Sequence, residues 1–196
     1  MRILLHVCCG PCAVYPLARL REQGHAVTGL FHNPNIHPYQ EFRRRMEALQ
    51  QFAEGAGFPV EVDEHYGLTD FLRTVVFHEQ ERCPLCYDLR LERTVQAAVA
   101  GGYEAFTTTL LYSRYQNHRL LVDKCAALAD RYDMLFHYED YRTGWQQGID
   151  DSIRLGLYRQ PYCGCIYSEQ ERYDRQLRRQ RRKQSSRTAT TAPFPP

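Results

Sequence analysis

The sequence has no long hydrophobic run, no glycine-rich phosphate loop and no excess of proline or glycine, and each shortage removes a class of protein. No window approaches the ~18 uninterrupted apolar residues that a membrane-spanning helix needs. The start, MRILLHVCC, offers five or six apolar positions and no small-residue cleavage site, so a secretory signal is not expected and a cytoplasmic location is. With 12 Gly and 10 Pro in 196 residues, collagen-like and low-complexity architectures are excluded. No GxGxxG follows any expected strand, and Gly10 alone in CCGPCA cannot build a nest of amides, so ATP, NAD and flavin are not expected as cofactors.

What is abundant is cysteine. Eight Cys would suggest a disulfide scaffold in a short secreted chain, but a chain of this length buries enough apolar surface to fold without staples. In a reducing compartment clustered thiols point to metal or redox chemistry. Net charge is +2 and uneven: eight Lys or Arg between Glu171 and Arg187 face only Glu171 and Asp174, a local +6 that leaves about −4 on the rest. A basic end on an acidic body suits phosphate contact, and equally a solvated helix end.

Apolar runs alternate with helical spacings along the chain. Residues 3–8, 26–32, 59–65, 103–111 and 134–140 read as strands, the first and second ending in turns punctuated by Gly-Pro and Asn-Pro. Helical periods follow each: Val14, Leu17 and Leu20; Phe42, Met46, Leu49 and Phe52; Phe71, Leu72, Val75 and Val76 behind a possible Thr69 cap; Leu91, Val95 and Ala98 after CPLC; Leu121, Cys125 and Leu128; Trp145, Ile149 and Ile153. This pattern predicts an α/β fold, a Rossmann-like open parallel sheet with helices on both faces. One metal-binding domain over 1–184 is expected, ending in a basic helix from Glu169 to about Lys183, with a Ser/Thr/Pro-rich disordered tail over 185–196.

Seven cysteines fall in three clusters: Cys8, Cys9 and Cys12 in CCGPC, Cys83 and Cys86 in CPLC, and Cys163 and Cys165 in CGC. The first lies where strand one hands over to helix one, the edge at which parallel sheets bind ligands. Adjacent residues on a strand end point to opposite faces, so Cys8 and Cys9 are expected on different atoms. That implies two metal loci, or one locus plus a free thiol. Cys125, on the apolar stripe of a helix, reads as a buried small hydrophobe. Three readings compete for the seven: a thioredoxin-type dithiol at Cys9 and Cys12, two closed zinc sites completed by His6, His32 or His37, and a four-thiolate iron–sulfur cluster with ligands left for a second metal. A zinc protein binding RNA through the basic end is the non-catalytic alternative.

The motifs HVCCGPC, FHNPNIHP, RCPLCYDLRLERT, FTTTLLYS, the Asp-Tyr-Arg of EDYRTGW and YRQPYCGCIYS resemble, in order and spacing from about residue 3 to 169, the epoxyqueuosine reductase family of the QueH type. The resemblance implies a fold similar to the adenine-nucleotide alpha-hydrolase (HUP) group. It further implies a cobalamin-independent oxidoreductase acting on tRNA at the last step of queuosine formation, with a 4Fe-4S cluster and an adjacent iron ion. Nothing is carried onto residues after about 184. Removing an epoxide oxygen takes two electrons that no common side chain supplies, so a metal centre fits, with a one-electron donor such as ferredoxin or flavodoxin. Cys83 and Cys86, with Cys8 or Cys9, are expected to anchor the cluster, and Cys12, Cys163 and Cys165 to serve its remaining position or the neighbouring iron. Cys12 and Asp140 are the candidate catalytic residues, Asp140 as oxygen ligand or proton donor at the end of strand five, or else as an Arg-paired loop carboxylate. Asn33, Asn35, Thr108, Thr109, Ser113, Arg159, Gln160 and Tyr162 are the candidate substrate contacts. The bland readings are turn chemistry for the Asn, β propensity for the Thr, and an ordinary polar loop around CGC.

Overall fold

A computed structural model describes residues 1–176. Five parallel strands, β1 (Arg2–His6), β2 (Ala26–Phe31), β3 (Val60–Val62), β4 (Ala105–Thr108) and β5 (Leu135–Phe136), form one sheet in the order β3-β2-β1-β4-β5. The order reverses at β1, so the crevice beyond its carboxyl end is the topological switch point where such sheets bind ligands. Helices connect the strands: α1 (Gly10–Glu22), α2 (Tyr39–Ala56), α3 (Leu68–Val75), α4 (Arg82–Ala100), α5 (His118–Tyr132), α6 (Trp145–Arg154) and α7 (Ile166–Tyr173).

The period of two along β1 explains why the sheet is covered twice. Ile3, Leu5 and Val7 enter a core with Val14 and Leu17 of α1 and Phe42, Met46 and Leu49 of α2. Leu4 and Cys8 enter another with Leu91 and Val95 of α4 and Leu121 and Cys125 of α5. A strand buried on both faces needs apolar residues at nearly every position, which is the character of ILLHV. Cys125 is fully buried in the second core, as its helical spacing predicts. Pro11 occupies the first turn of α1, where its missing N–H costs nothing. Gly10 is required by a close approach: a Cβ there would lie 2.4 Å from the backbone oxygen of Ala48 in α2.

Several boundaries differ from the sequence expectations. Strand one ends at His6, and strand five is two residues long, so Asp140 lies in the loop beyond it, capping a 3-10 turn, Tyr141–Gly144. Cys83 and Cys86 sit inside the start of α4 instead of before it. Thr69 lies within α3, whose N-cap is Gly67. The inward face of α6 is carried by Gly148 and Ser152, with Ile153 58% exposed, because Gly148 packs against the Tyr112 ring. The last expected helix begins at Ile166 and is interrupted at Asp174; its continuation to Lys183, and the tail over 185–196, lie outside the described residues.

Candidate metal centre

Because β1 stops at His6, Cys8 and Cys9 belong to the turn and not to the pleat, and alternation no longer separates them. Cys9 is the extended N-cap residue of α1, and Cys12 lies three residues on, one turn into the helix. The sulfurs of Cys8, Cys9 and Cys12 all lie within 4.8 Å of one another, with Cys8 and Cys9 3.8 Å apart. The expectation that Cys8 and Cys9 serve different atoms is thereby corrected: a tight turn delivers both to one point.

The triad shares its protons. Hydrogen bonds with Cys12 and Cys9 hold the Cys8 thiol well below its ordinary range, and the Thr109 hydroxyl donates to the same sulfur at 3.5 Å. Burial pushes Cys9 well up, and Cys12 is raised by its hydrogen bond to Cys8. Gln160 fastens the group from the opposite side, accepting from Cys9 Sγ at 3.2 Å and donating to Cys12 Sγ at 3.2 Å.

Gln160 belongs to the same loop as CGC, so the third motif is tied to the first. The loop is fixed from below by Arg45, whose side chain is 1% exposed; it donates to the carbonyls of Cys163 at 2.8 Å and Tyr162 at 2.9 Å and pairs with Glu41 at 2.7 Å. Gly164, at φ +152°, adopts a backbone that a side chain would strain, and a Cβ there would crowd Asn35 Nδ2 at 3.0 Å. The second motif joins through α4. Cys86 and Cys165 share a small core with Phe71 and Val75, while Cys83 and Cys163 are exposed. Tyr87, beside Cys86, donates to Gln116, and Gln116 donates to Cys163 Sγ at 3.1 Å. Burial raises Cys83, and pushes Cys86 up to about 12; in both, Cys163 and Cys165 add to the rise. All eight cysteines are free thiols.

One buried cation lies among these thiols. Arg90, 2% exposed and four residues after Cys86, donates from Nε to the Cys86 carbonyl, while its Nη2 has no partner. No carboxylate pairs with it among the described residues, and its charge is favoured by Cys86, Cys163 and Cys8, thiols drawn from all three motifs. A buried guanidinium without a counter-charge is expensive, so the pocket favours an anionic occupant. Thiolates holding an iron–sulfur cluster supply that anion: such a cluster takes four thiolates, and the buried triad of Cys8, Cys9 and Cys12 with the thiols of the other two motifs provides at least that many. The residues therefore fit the group.

The other candidates divide. Asn33 donates to the Val7 carbonyl at 2.9 Å, and the side-chain oxygens of both Asn33 and Asn35 are buried without partners near this edge. Thr108 caps the 3-10 turn Thr109–Tyr112 and bonds His6, while Thr109 accepts from the Cys8 amide; both are fully buried beneath the thiols. Ser113 accepts from the Tyr115 amide. Tyr162 is half-buried and donates to the His37 carbonyl, fastening the loop, whereas Arg159 is exposed. Asp140 accepts three bonds from Arg142, whose side chain holds the carboxyl below its usual range. It is the Arg-paired loop carboxylate, ionised at neutral pH, able to accept a proton or a cation but not to donate a proton.

Arg45 and Arg90 escaped the sequence reading, yet each had a signal. Arg45 follows Glu41 by four residues within the apolar stripe of α2, and Arg90 follows Cys86 by four on one face of α4. Gln116 had none.

Comparison with known proteins gives a single result. A family model described as epoxyqueuosine reductase QueH matches residues 3–171. A protein named epoxyqueuosine reductase QueH from Dehalococcoides mccartyi is 37% identical over 172 residues, 88% of this chain and 94% of its own. Similarly named proteins from Thermotoga maritima (33% identical, 88% of this chain, 93% of its own) and Histophilus somni (34%, 85% and 72%) align over the same body.

Proposed function

This chain belongs to the epoxyqueuosine reductase QueH family, and from that membership we propose that it reduces the epoxide of epoxyqueuosine in tRNA to the alkene of queuosine. The conversion consumes two electrons and two protons and releases the epoxide oxygen as water. The carrying observation is the buried triad of Cys8, Cys9 and Cys12, to which Gln160 of the CGC loop is hydrogen-bonded.

In this reading the Cys8, Cys9 and Cys12 triad binds iron as one unit, and Cys83, Cys86, Cys163 and Cys165 supply the remaining ligands of a 4Fe-4S cluster and an adjacent iron. When bound, such a centre supplies electrons singly and a Lewis-acidic site for oxygen. The chain's own residues do the rest. Arg90 offsets the negative charge of the thiolates from within the protein, where its electrostatic effect is largest. Gln160 fixes the rotamers of Cys9 and Cys12 and so the shape of the pocket floor. Arg45 and Tyr162 fasten the loop that carries CGC and Gln160. Arg159, exposed at that loop, meets phosphate, so tRNA affinity should fall as salt rises. Electrons arrive from a small one-electron carrier such as ferredoxin or flavodoxin. Among the described residues no helix is long and apolar enough to cross a membrane.

The test is anaerobic reconstitution with iron and sulfide, incubation with reductant and epoxyqueuosine-containing tRNA, and nucleoside analysis. Queuosine should accumulate as epoxyqueuosine disappears. A loaded, reduced protein that leaves the epoxide intact would refute the reading.

A further inference from the structure

The loop from Ser113 to Gln116, at the carboxyl edge of β4, turns two neighbours in opposite directions. Gln116 faces inward onto Cys163 Sγ. Tyr115 is 83% exposed, a large ring left in water. Its edge meets the ring of Trp145 at 5.7 Å, and Trp145 in turn lies on Tyr112 at 5.0 Å with the planes 31° apart. Tyr112, 3% exposed, donates to the Trp145 carbonyl at 2.9 Å, which fixes the pair. Tyr112 lies within electrostatic reach of Cys12 and Cys9 and of Arg159 and Arg114. The guanidinium of Arg114 stands 5.8 Å from the Trp145 ring centre. Arg114 and Arg159 are both exposed, and neither has an ion-pair partner among the described residues. An aromatic series thus begins at Tyr112, within electrostatic reach of Cys9 and Cys12, and ends in solvent at Tyr115, with Arg114 against its Trp145 ring and Arg159 nearby.

We propose that Tyr115 and Trp145, with Arg114 and Arg159, form the docking surface for a single-stranded RNA loop. Tyr115 stacks on the base next to the one that enters the thiol pocket, and the two arginines meet the flanking phosphates. The inference rests on the proposed function and adds where the RNA is gripped. Every base has a π face, so one exposed ring serves any neighbouring nucleotide, and cations beside it follow the backbone. A base paired in a duplex has no free face to offer, so the surface selects a loop over a stem. An enzyme that needs one base out of its stack gains a substitute stacking partner for the neighbour left behind.

The only tryptophan in the chain is Trp145, so its emission reports on this surface alone. The reconstituted holoenzyme is titrated with an unmodified anticodon stem-loop RNA and, separately, with a blunt duplex of the stem; turnover of epoxyqueuosine tRNA is measured in parallel. The hairpin should quench Trp145 saturably and the duplex should not. Tyr115→Ala should weaken hairpin binding about tenfold, Tyr115→Phe should keep wild-type affinity, and iron content should be unchanged in both. Equal affinity for wild type and Tyr115→Ala, or equal quenching by duplex, overturns the surface. If turnover persists in those cases, the reductase reading stands; if wild type neither binds the hairpin nor turns over tRNA, both fall.

Discussion

The two groups of thiols at the carboxyl edge are assembled in opposite ways. Cys8, Cys9 and Cys12 come from a single turn, are buried, and lie within 4.8 Å of one another. Cys83, Cys86, Cys163 and Cys165 come from two remote stretches, half of them exposed, and the last pair stays in place because Arg45 reaches across 118 positions of sequence to the Cys163 carbonyl. The first group is therefore a property of local geometry and the second a property of the whole fold. A change far from any sulfur should disable the second and spare the first.

The largest expected effect follows from that contrast. Arg45→Ala strands the buried Glu41 carboxylate and releases the loop, and should cost about 3–5 kcal/mol in denaturant unfolding. In the apo protein, Cys163 and Cys165 should then alkylate faster, while Cys9 and Cys12 remain slow. Equal acceleration of all four would erase the distinction between the groups.

Acid should also act on the assembled group first. His37 is 1% exposed, bonds the Gly164 carbonyl through its amide, and accepts from Tyr162 through its own carbonyl. Burial pushes it down to about 4. Since the unfolded chain binds this proton near pH 6.5 and the folded chain does not, stability is full above 6.5. It should fall by about 1.4 kcal/mol per pH unit toward 4. His37→Phe should remove that part of the slope in unfolding curves measured between pH 7 and 4.5, as a difference from wild type.

Smaller effects sharpen the comparison. Gln160→Ala removes the clamp on the triad but not the turn that builds it, so it should cost about 1 kcal/mol and slow iron uptake without abolishing it. Cys125→Ala leaves a small void in the second core, worth about 1 kcal/mol or less, and should leave iron content untouched.

The fold was legible because apolar periods of two and of three to four residues are written into ILLHV, Phe42 to Phe52 and Leu91 to Ala98, and a parallel sheet covered twice follows from them. The triad was visible as CCGPC, though the strand rule misjudged Cys8 and Cys9 by carrying the pleat two residues too far. Ile153 misled because a glycine, with no side chain to register on any hydrophobic scale, makes the close packing of α6. Asp140 was placed on a strand because MLFHYED has the right composition, but β5 pairs only with Ala105 and Phe106 and ends at Phe136, while β4 runs on to Thr108. Arg45 and Arg90 left only an i,i+4 spacing to Glu41 and Cys86, whereas Gln116 acts through a contact 47 positions away that no local pattern encodes.

The most direct measurement is iron and sulfide per chain after anaerobic reconstitution, in wild type and in single serine variants of Cys9, Cys83, Cys163 and Cys125. If the three motifs hold one iron centre, wild type is brown, with iron in excess of sulfide. Variants in each of the three motifs then lose iron, and Cys125→Ser keeps it. A colourless wild type with stoichiometric zinc, or full iron in the variants of any whole motif, would contradict the convergence on which everything else depends.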